Sequence, residues 1–381
     1  MSKEPSEERD DKLPVPGLVA AGRPGEAPGR NISPDLGLLS GEGSAQRVHS
    51  TGEAYPSRPS LWEEPPSSAF AGDEPTYYDR PLLKETVWIW SVPAYFYVGG
   101  TAGAAAVLAA AAQAGGRGEL QGLVRSCRWV GAAGGAVGTV LLIYDLGRPE
   151  RFLHMLRVFR PTSPMSVGSW VLAGAASATM GSALLSGRRG PLRKLGDVAG
   201  YAAALLGMPL AGYTAVLLST TAVPVWQSAR RSLPPLFIGS AMSGLASLFG
   251  LLPVSLTPAE EKAVDRFGVA GKVLDLAAMA AVERDAAAVD PVAKPLRQGV
   301  SGTLWKASGA LTVASLALSL LPGKSKARRA VSGILGTAGA LALRFAVFHA
   351  GKASARDPRA TFRQQRSASG AMEMKSRNTR L

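Results

Sequence analysis

The stretch Asp145-Leu-Gly-Arg-Pro-Glu-Arg-Phe152, followed by His154 and then by Ser163-Pro-Met-Ser-Val-Gly-Ser-Trp170, joins two apolar runs. Gly131 to Tyr144 before it is small and apolar, and Val167 to Leu185 after it is apolar again. A charged knot therefore sits where a membrane helix reaches the interface. Charges so close to hydrocarbon are costly, and where they persist they pair with each other or line a polar site. The knot reads as a polar junction between two membrane helices.

Outward from it the same pattern repeats. Apolar runs cover about 87–112, 123–144, 165–185, 198–223, 235–252, 267–289, 304–321 and 330–349. At about 1.5 Å per residue, runs of this length cross roughly 30 Å of hydrocarbon. Helices satisfy their own backbone in lipid, and the period-two alternation of a barrel is missing. The fold class is an all-α integral membrane protein, multi-pass, with about eight transmembrane helices. An even count puts both chain ends on one face, together with the 145–160 knot and the 224–231 loop. The basic loop 188–194 lies on the other face.

Composition agrees. Of 381 residues 46% are hydrophobic, and the formal charge of +14 is spread over the loops and the tail after His349. Basic loops beside membrane helices are commonplace, so the charge points to a lipid membrane and not to nucleic acid. The chain holds one cysteine, Cys127, and three histidines, His49, His154 and His349. One cysteine cannot ligate an iron–sulfur cluster, and these scattered histidines are a poor set for a bis-histidine haem. No metal site is expected.

Residues 1–80 are rich in Pro, Gly, Ser and Glu and read as a polar, disordered arm. Its aromatic residues Tyr55, Trp62, Phe70, Tyr77 and Tyr78 suit a strap laid over a partner subunit. Residues 81–350 form the membrane domain, and 351–381 a basic tail.

In the knot, Gly147 permits an unusual backbone angle and Pro149 suits the first turn of a new helix. Glu150, Arg151, His154 and Arg157 follow at helical spacings. Two accounts fit. One is an interfacial network of Arg–carboxylate pairs; the other is a site for a polar headgroup, with an imidazole able to exchange a proton near neutral pH. The sixth run is interrupted by Lys272, Asp275, Glu283, Arg284 and Asp285. Lys272 and Asp275 are three apart, so they can pair on one helix face. Glu283 roughly continues that face, and Arg344 in the eighth run is a candidate partner. Intramembrane ionisable residues suggest a proton path, here Lys272, Asp275, Glu283 and Arg344.

Several motifs are similar to those of the NrfD-like, or polysulfide reductase membrane-subunit, family. They are Tyr77-Tyr-Asp-Arg-Pro-Leu-Leu-Lys-Glu-Thr-Val-Trp88 leading into Tyr95-Phe-Tyr-Val-Gly-Gly100, and the whole Asp145 to Trp170 stretch. Gly212-Tyr-Thr-Ala-Val-Leu-Leu-Ser219 with Ala222-Val-Pro-Val-Trp226, and Arg344-Phe-Ala-Val-Phe-His-Ala-Gly351, extend the likeness to the end of the eighth run. The resemblance implies a haem-free anchor of two packed four-helix bundles, 87–232 and 233–350. It implies a ferredoxin-like iron–sulfur subunit and a molybdopterin catalytic subunit as partners, and electron exchange with membrane quinone or quinol.

The resemblance places the quinone site in the first bundle, where the candidates are Tyr213, His154, Asp145 and Arg148, with Glu85 and Trp88 at the mouth of the first span. Arg148 also belongs, with Arg151, to the pairs that hold the knot together. Some relatives carry a histidine where this chain has Trp88 to Trp90. The other readings are a structural anchor without quinone chemistry and a proton or solute transporter, for which no internal repeat speaks.

Overall fold

The computed structural model describes residues 81–115, 118–146, 149–321 and 325–366, with a short antiparallel pairing of Ile32–Ser33 and Leu38–Leu39. The rest of the 1–80 arm, Arg148 and the tail beyond 366 lie outside the described residues.

Eight long helices appear where the apolar runs predict them. They are α1 (Ser91–Gly115), α2 (Gln121–Asp145), α3 (Pro164–Leu185), α4 (Pro191–Ser219), α6 (Leu233–Leu251), α7 (Pro258–Ala287), α9 (Gly299–Leu320) and α10 (Lys326–Arg356). Three short helices, α5 (Pro224–Ser228), α8 (Asp290–Arg297) and α11 (Pro358–Arg366), and a 3-10 segment, Pro149–Leu156, complete the described helical structure. Proline opens α3, α4, α5 and α7, where its missing N–H costs nothing. Thr257 and Glu260 form a capping box that starts α7, upstream of where its apolar run begins.

Six of these helices are long and apolar enough to cross a membrane: α1, α2, α3, α4, α6 and α10. The other two long helices, α7 and α9, carry charged and hydroxyl residues that lower their hydropathy. Their polar side chains turn inward: Lys272 and Asp275 of α7, and Ser308, Thr312 and Ser315 of α9, are all buried.

Helices α1 to α4 pack in a ring, α1 on α2 and α4, and α3 on α2 and α4. Helices α6, α7, α9 and α10 close a second ring in the same way, and at the seam α1 and α4 meet α6 while α1 also meets α10. Small residues make the contacts close. A Cβ on Gly103 of α1 would lie 2.5 Å from the Gly207 carbonyl oxygen of α4, so the two backbones touch directly, as small residues allow in membrane helix pairs. The region after His349 differs from a simple tail, because α10 continues to Arg356 and α11 packs back on α8 and α5.

Candidate functional site

A cavity of about 310 Å³ opens in the first bundle at the end where α1 begins and α2 ends. Its wall is mostly apolar, with Val92, Phe96, Leu172 and Met165 among the lining residues, and its polar groups are few: Tyr95, Tyr213, Asp145, Ser169 and Thr214. A small number of placed polar groups in an apolar slot is the usual make-up of a small-molecule site.

Two tyrosines form its polar centre. Tyr95 and Tyr213 place their hydroxyl oxygens 2.6 Å apart, close enough that one donates to the other. Such a pair holds two hydroxyl hydrogens and uses one between its members, which leaves a second donor for a ligand. Glycines seat both rings. A Cβ on Gly168 of α3 would fall 2.2 Å from Tyr213, and Cβ atoms on Gly99 and Gly138 would lie 3.0 and 3.3 Å from Tyr95. Three helices thus yield space so that two phenols meet.

Asp145 is the carboxylate in the lining. Its Oδ1 accepts from the Ile89 backbone N–H and from the Ser91 hydroxyl, both at 3.2 Å. The end of α2 is thereby pinned to the entry of α1, whose first N–H groups have no intrahelical partner.

Trp88 lines the cavity and stacks on Trp226 at 6.3 Å between ring centroids. Trp226 sits on α5, almost wholly buried, and donates from Nε1 to the Val347 carbonyl at 2.9 Å. The neighbouring Val225 N–H donates to Ser354 Oγ at 3.2 Å. Helix α5 is therefore a bolt from the cavity wall into α10.

The structure brings together Tyr213, Asp145 and Trp88 of the residues singled out in the sequence. It does not bring His154 or Glu85 to them. His154 is exposed on the 3-10 segment and is not a lining residue. Glu85 instead binds Arg356 at 2.6 and 2.9 Å and faces Lys352 at 3.6 Å, tying the entry of α1 to the end of α10. Glu150 and Arg157 are exposed. Tyr95, which the sequence reading passed over, is central. The glycines at 99, 138 and 168 were the available signal, since each clears room for a ring.

The residues proposed for a proton path divide. Lys272, Asp275 and Arg344 face the interior of the second bundle and are buried. Glu283 does not join them: it is exposed at the far end of α7 and accepts from Trp305 Nε1. The expected Lys272–Asp275 pairing does not form. Lys272 reaches across to α9 and donates to Ser319 Oγ at 2.7 Å.

The family described as polysulfide reductase, NrfD-like, matches this chain over residues 76–356, from just before α1 to the last residue of α10. No curated protein matches the chain.

Proposed function

The chain belongs to the polysulfide reductase, NrfD-like, family, and from that premise we propose that it is the quinone-reactive membrane subunit of a multisubunit oxidoreductase. The cavity between α1, α2, α3 and α4 is its quinone or quinol site. The observation that carries this reading is the Tyr95–Tyr213 hydroxyl pair inside an otherwise apolar slot at the end of a membrane bundle.

A quinone head is a flat apolar ring with two carbonyl oxygens, and it carries two electrons and two protons between its forms. The residues present fit such a group. Val92, Phe96 and Leu172 offer apolar contact, and Trp88 an aromatic wall. The spare hydroxyl hydrogen of the tyrosine pair meets one oxygen, with Tyr213 the proposed donor. Asp145 holds the entry of α1 in place through Ile89 and Ser91, and so fixes the wall that carries Trp88 and Tyr95. Water exclusion by the apolar lining strengthens each of these polar contacts.

The chain has no cysteine set for clusters, so the electrons come from a partner. The partners we propose are a ferredoxin-like iron–sulfur subunit, docked on the face where the cavity opens, and a molybdopterin catalytic subunit beyond it. The α5, α8 and α11 helices and the Glu85–Arg356 tie lie on that same face. The location proposed is the cell membrane.

The test is purification of the tagged chain from its native membrane in mild detergent, with titration of a water-soluble quinone analogue. Co-purifying iron–sulfur and molybdopterin subunits with quinone turnover, reduced in Tyr213→Phe, are expected. Partners without quinone turnover would leave a structural anchor, and absence of any partner would overturn the reading.

A further inference from the structure

Helices α7 and α9 are fastened at two places and are the loosest neighbours in the second ring. At one end Glu283 of α7 accepts from Trp305 Nε1 of α9. At the other, Lys272 crosses to α9 and donates to Ser319 Oγ at 2.7 Å and to the Ser315 carbonyl at 3.4 Å. Helix α6 is held far more closely by its neighbours. A Cβ on Gly268 of α7 would lie 2.5 Å from Ala246, and one on Gly333 of α10 would lie 2.7 Å from the Ser247 carbonyl oxygen.

Beside the Lys272 crossing a cavity of about 80 Å³ opens, where α6 and α9 end and α10 begins. This is the face opposite the tyrosine cavity. Three cations line it, Lys272, Arg328 and Arg329, and Asp265 is the one acid among the described lining residues. Glu261 pairs with Arg329. Three cations against two carboxylates leave the place one positive charge in excess.

Lys272 is where that excess is felt. Its ammonium is buried, although it has three N–H donors to satisfy. Two meet the neutral oxygens of Ser319 and Ser315, and the third has no acceptor among the described residues. Asp265, two turns earlier on α7, attracts it from beyond contact distance. The hydroxyl of Ser247 lines the same cavity, buried and without a protein partner, and is a second donor to spare. A buried charge is costly unless an opposite charge and hydrogen bonds meet it. An anion in the cavity supplies both.

The cavity does not end in the protein. Leu321 lines it and is also exposed, next to the exposed Leu320 at the end of α9. Val331 and Ile334 on the first turns of α10 are exposed as well. The polar hollow therefore lies at the end of the spans, at headgroup level, and its wall continues into an aliphatic flank.

We propose that this cavity binds the phosphate of an anionic membrane phospholipid, with acyl chains along the Leu320–Ile334 flank. Lys272 meets the phosphate as a point charge and Arg328 adds a fork of donors. Basic pockets between membrane helices take anionic headgroups in this way. The lipid braces the α7–α9 seam where the protein itself supplies one lysine. The assignment stands on the second bundle alone and holds whatever occupies the first.

Native mass spectrometry of the complex, purified from its membrane in mild detergent, tests it. The probes are phosphatidylglycerol, zwitterionic phosphatidylcholine and inorganic phosphate. The parent should bind phosphatidylglycerol more tightly than phosphatidylcholine. Lys272→Met should weaken phosphatidylglycerol about fivefold, the worth of one cation near an anionic headgroup, and leave phosphatidylcholine unchanged. Arg328→Gln should do the same, and decides where Lys272→Met does not assemble. Lys262→Met, an exposed cation of α7 outside the cavity, should bind as the parent does. Equal binding of the two lipids by the parent, or parental binding in the assembled charge variants, overturns the site. Displacement of phosphatidylglycerol by millimolar inorganic phosphate would mark a free-anion site and overturns the lipid.

Discussion

Glu260, in the first turn of α7, accepts the backbone N–H of Leu123, in the first turn of α2, at 2.6 Å. Its other carboxylate oxygen accepts from the Thr257 N–H at 2.9 Å, so one buried side chain closes the start of two helices in different bundles. Helix α2 has no side-chain cap of its own at Leu120, and Glu260 supplies what its sequence lacks. Glu260→Ala should cost about 1–3 kcal/mol, the penalty for a buried donor left without a partner. Unfolding in graded denaturing detergent measures it, and Glu260→Gln, which keeps one acceptor but turns its NH2 towards the second N–H, should recover only part of the loss.

Trp226 and Gly351 make a second joint, on the opposite face. A Cβ on Gly351 would lie 1.9 Å from the indole of Trp226, so Gly351→Ala must push α5 off α10. The expected cost is about 1–3 kcal/mol, as for other overpacked cores. Loss of the Trp88–Trp226 stack would move indoles towards water, and a red-shifted tryptophan emission is the readout. Trp226→Phe loses the Val347 hydrogen bond and leaves a small cavity in the joint, and should cost about 1–3 kcal/mol.

Hydropathy located the long helices because apolar runs of span length have few other uses. It located their ends less well, since α4 and α7 begin in polar turns set by Pro191 and by the Thr257 capping box, which carry no apolar signal. Tyr213 and Trp88 stood out as candidates because the family resemblance places a site in the first bundle, where they supply a phenol and an aromatic wall. Tyr95 did not, because within Tyr95-Phe-Tyr97 periodicity does not tell which phenol meets α4. That is decided by gaps on α2 and α3. The second-bundle axis was legible in part: Lys272, Asp275 and Arg344 stood out as intramembrane charges. Their serine and threonine neighbours did not, because a lone hydroxyl in a membrane helix usually bonds its own backbone.

Two ion pairs should respond very differently to substitution. Arg128 is nearly buried and donates to Asp197 at 2.9 Å and to Gln113 at 2.6 Å. Removing one partner of a buried pair strands a charge, at about 3–5 kcal/mol where burial is complete. Asp197 is partly exposed, so Asp197→Ala should fall near the lower end of that range. Arg356, which holds Glu85, is two-thirds exposed. Glu85→Gln should change stability by less than about 1 kcal/mol, and high salt should erase the difference. Thermal unfolding of both variants at low and high ionic strength checks the ordering.

Gly168 offers a way to move Tyr213 without touching its hydroxyl. A Cβ there would lie 2.2 Å from Tyr213 Cε2 and 2.9 Å from Cδ2, whereas a Cβ on Gly181 of the same helix meets nothing within 4 Å. Gly168→Ala must therefore swing the phenol away and break the 2.6 Å contact with Tyr95, while Gly181→Ala leaves the cavity as it is. Deleting the hydroxyl outright in Tyr213→Phe should weaken quinone-analogue binding roughly threefold to tenfold, the equivalent of about 0.5–1.5 kcal/mol for one hydrogen bond. Gly168→Ala should lose at least as much, because the displaced ring also invades the slot. Equal binding in parent and Tyr213→Phe, with Gly168→Ala impaired, would mean that the cavity's shape matters and the tyrosine's proton does not. A role for the hydroxyl requires both variants to fall and Gly181→Ala to hold.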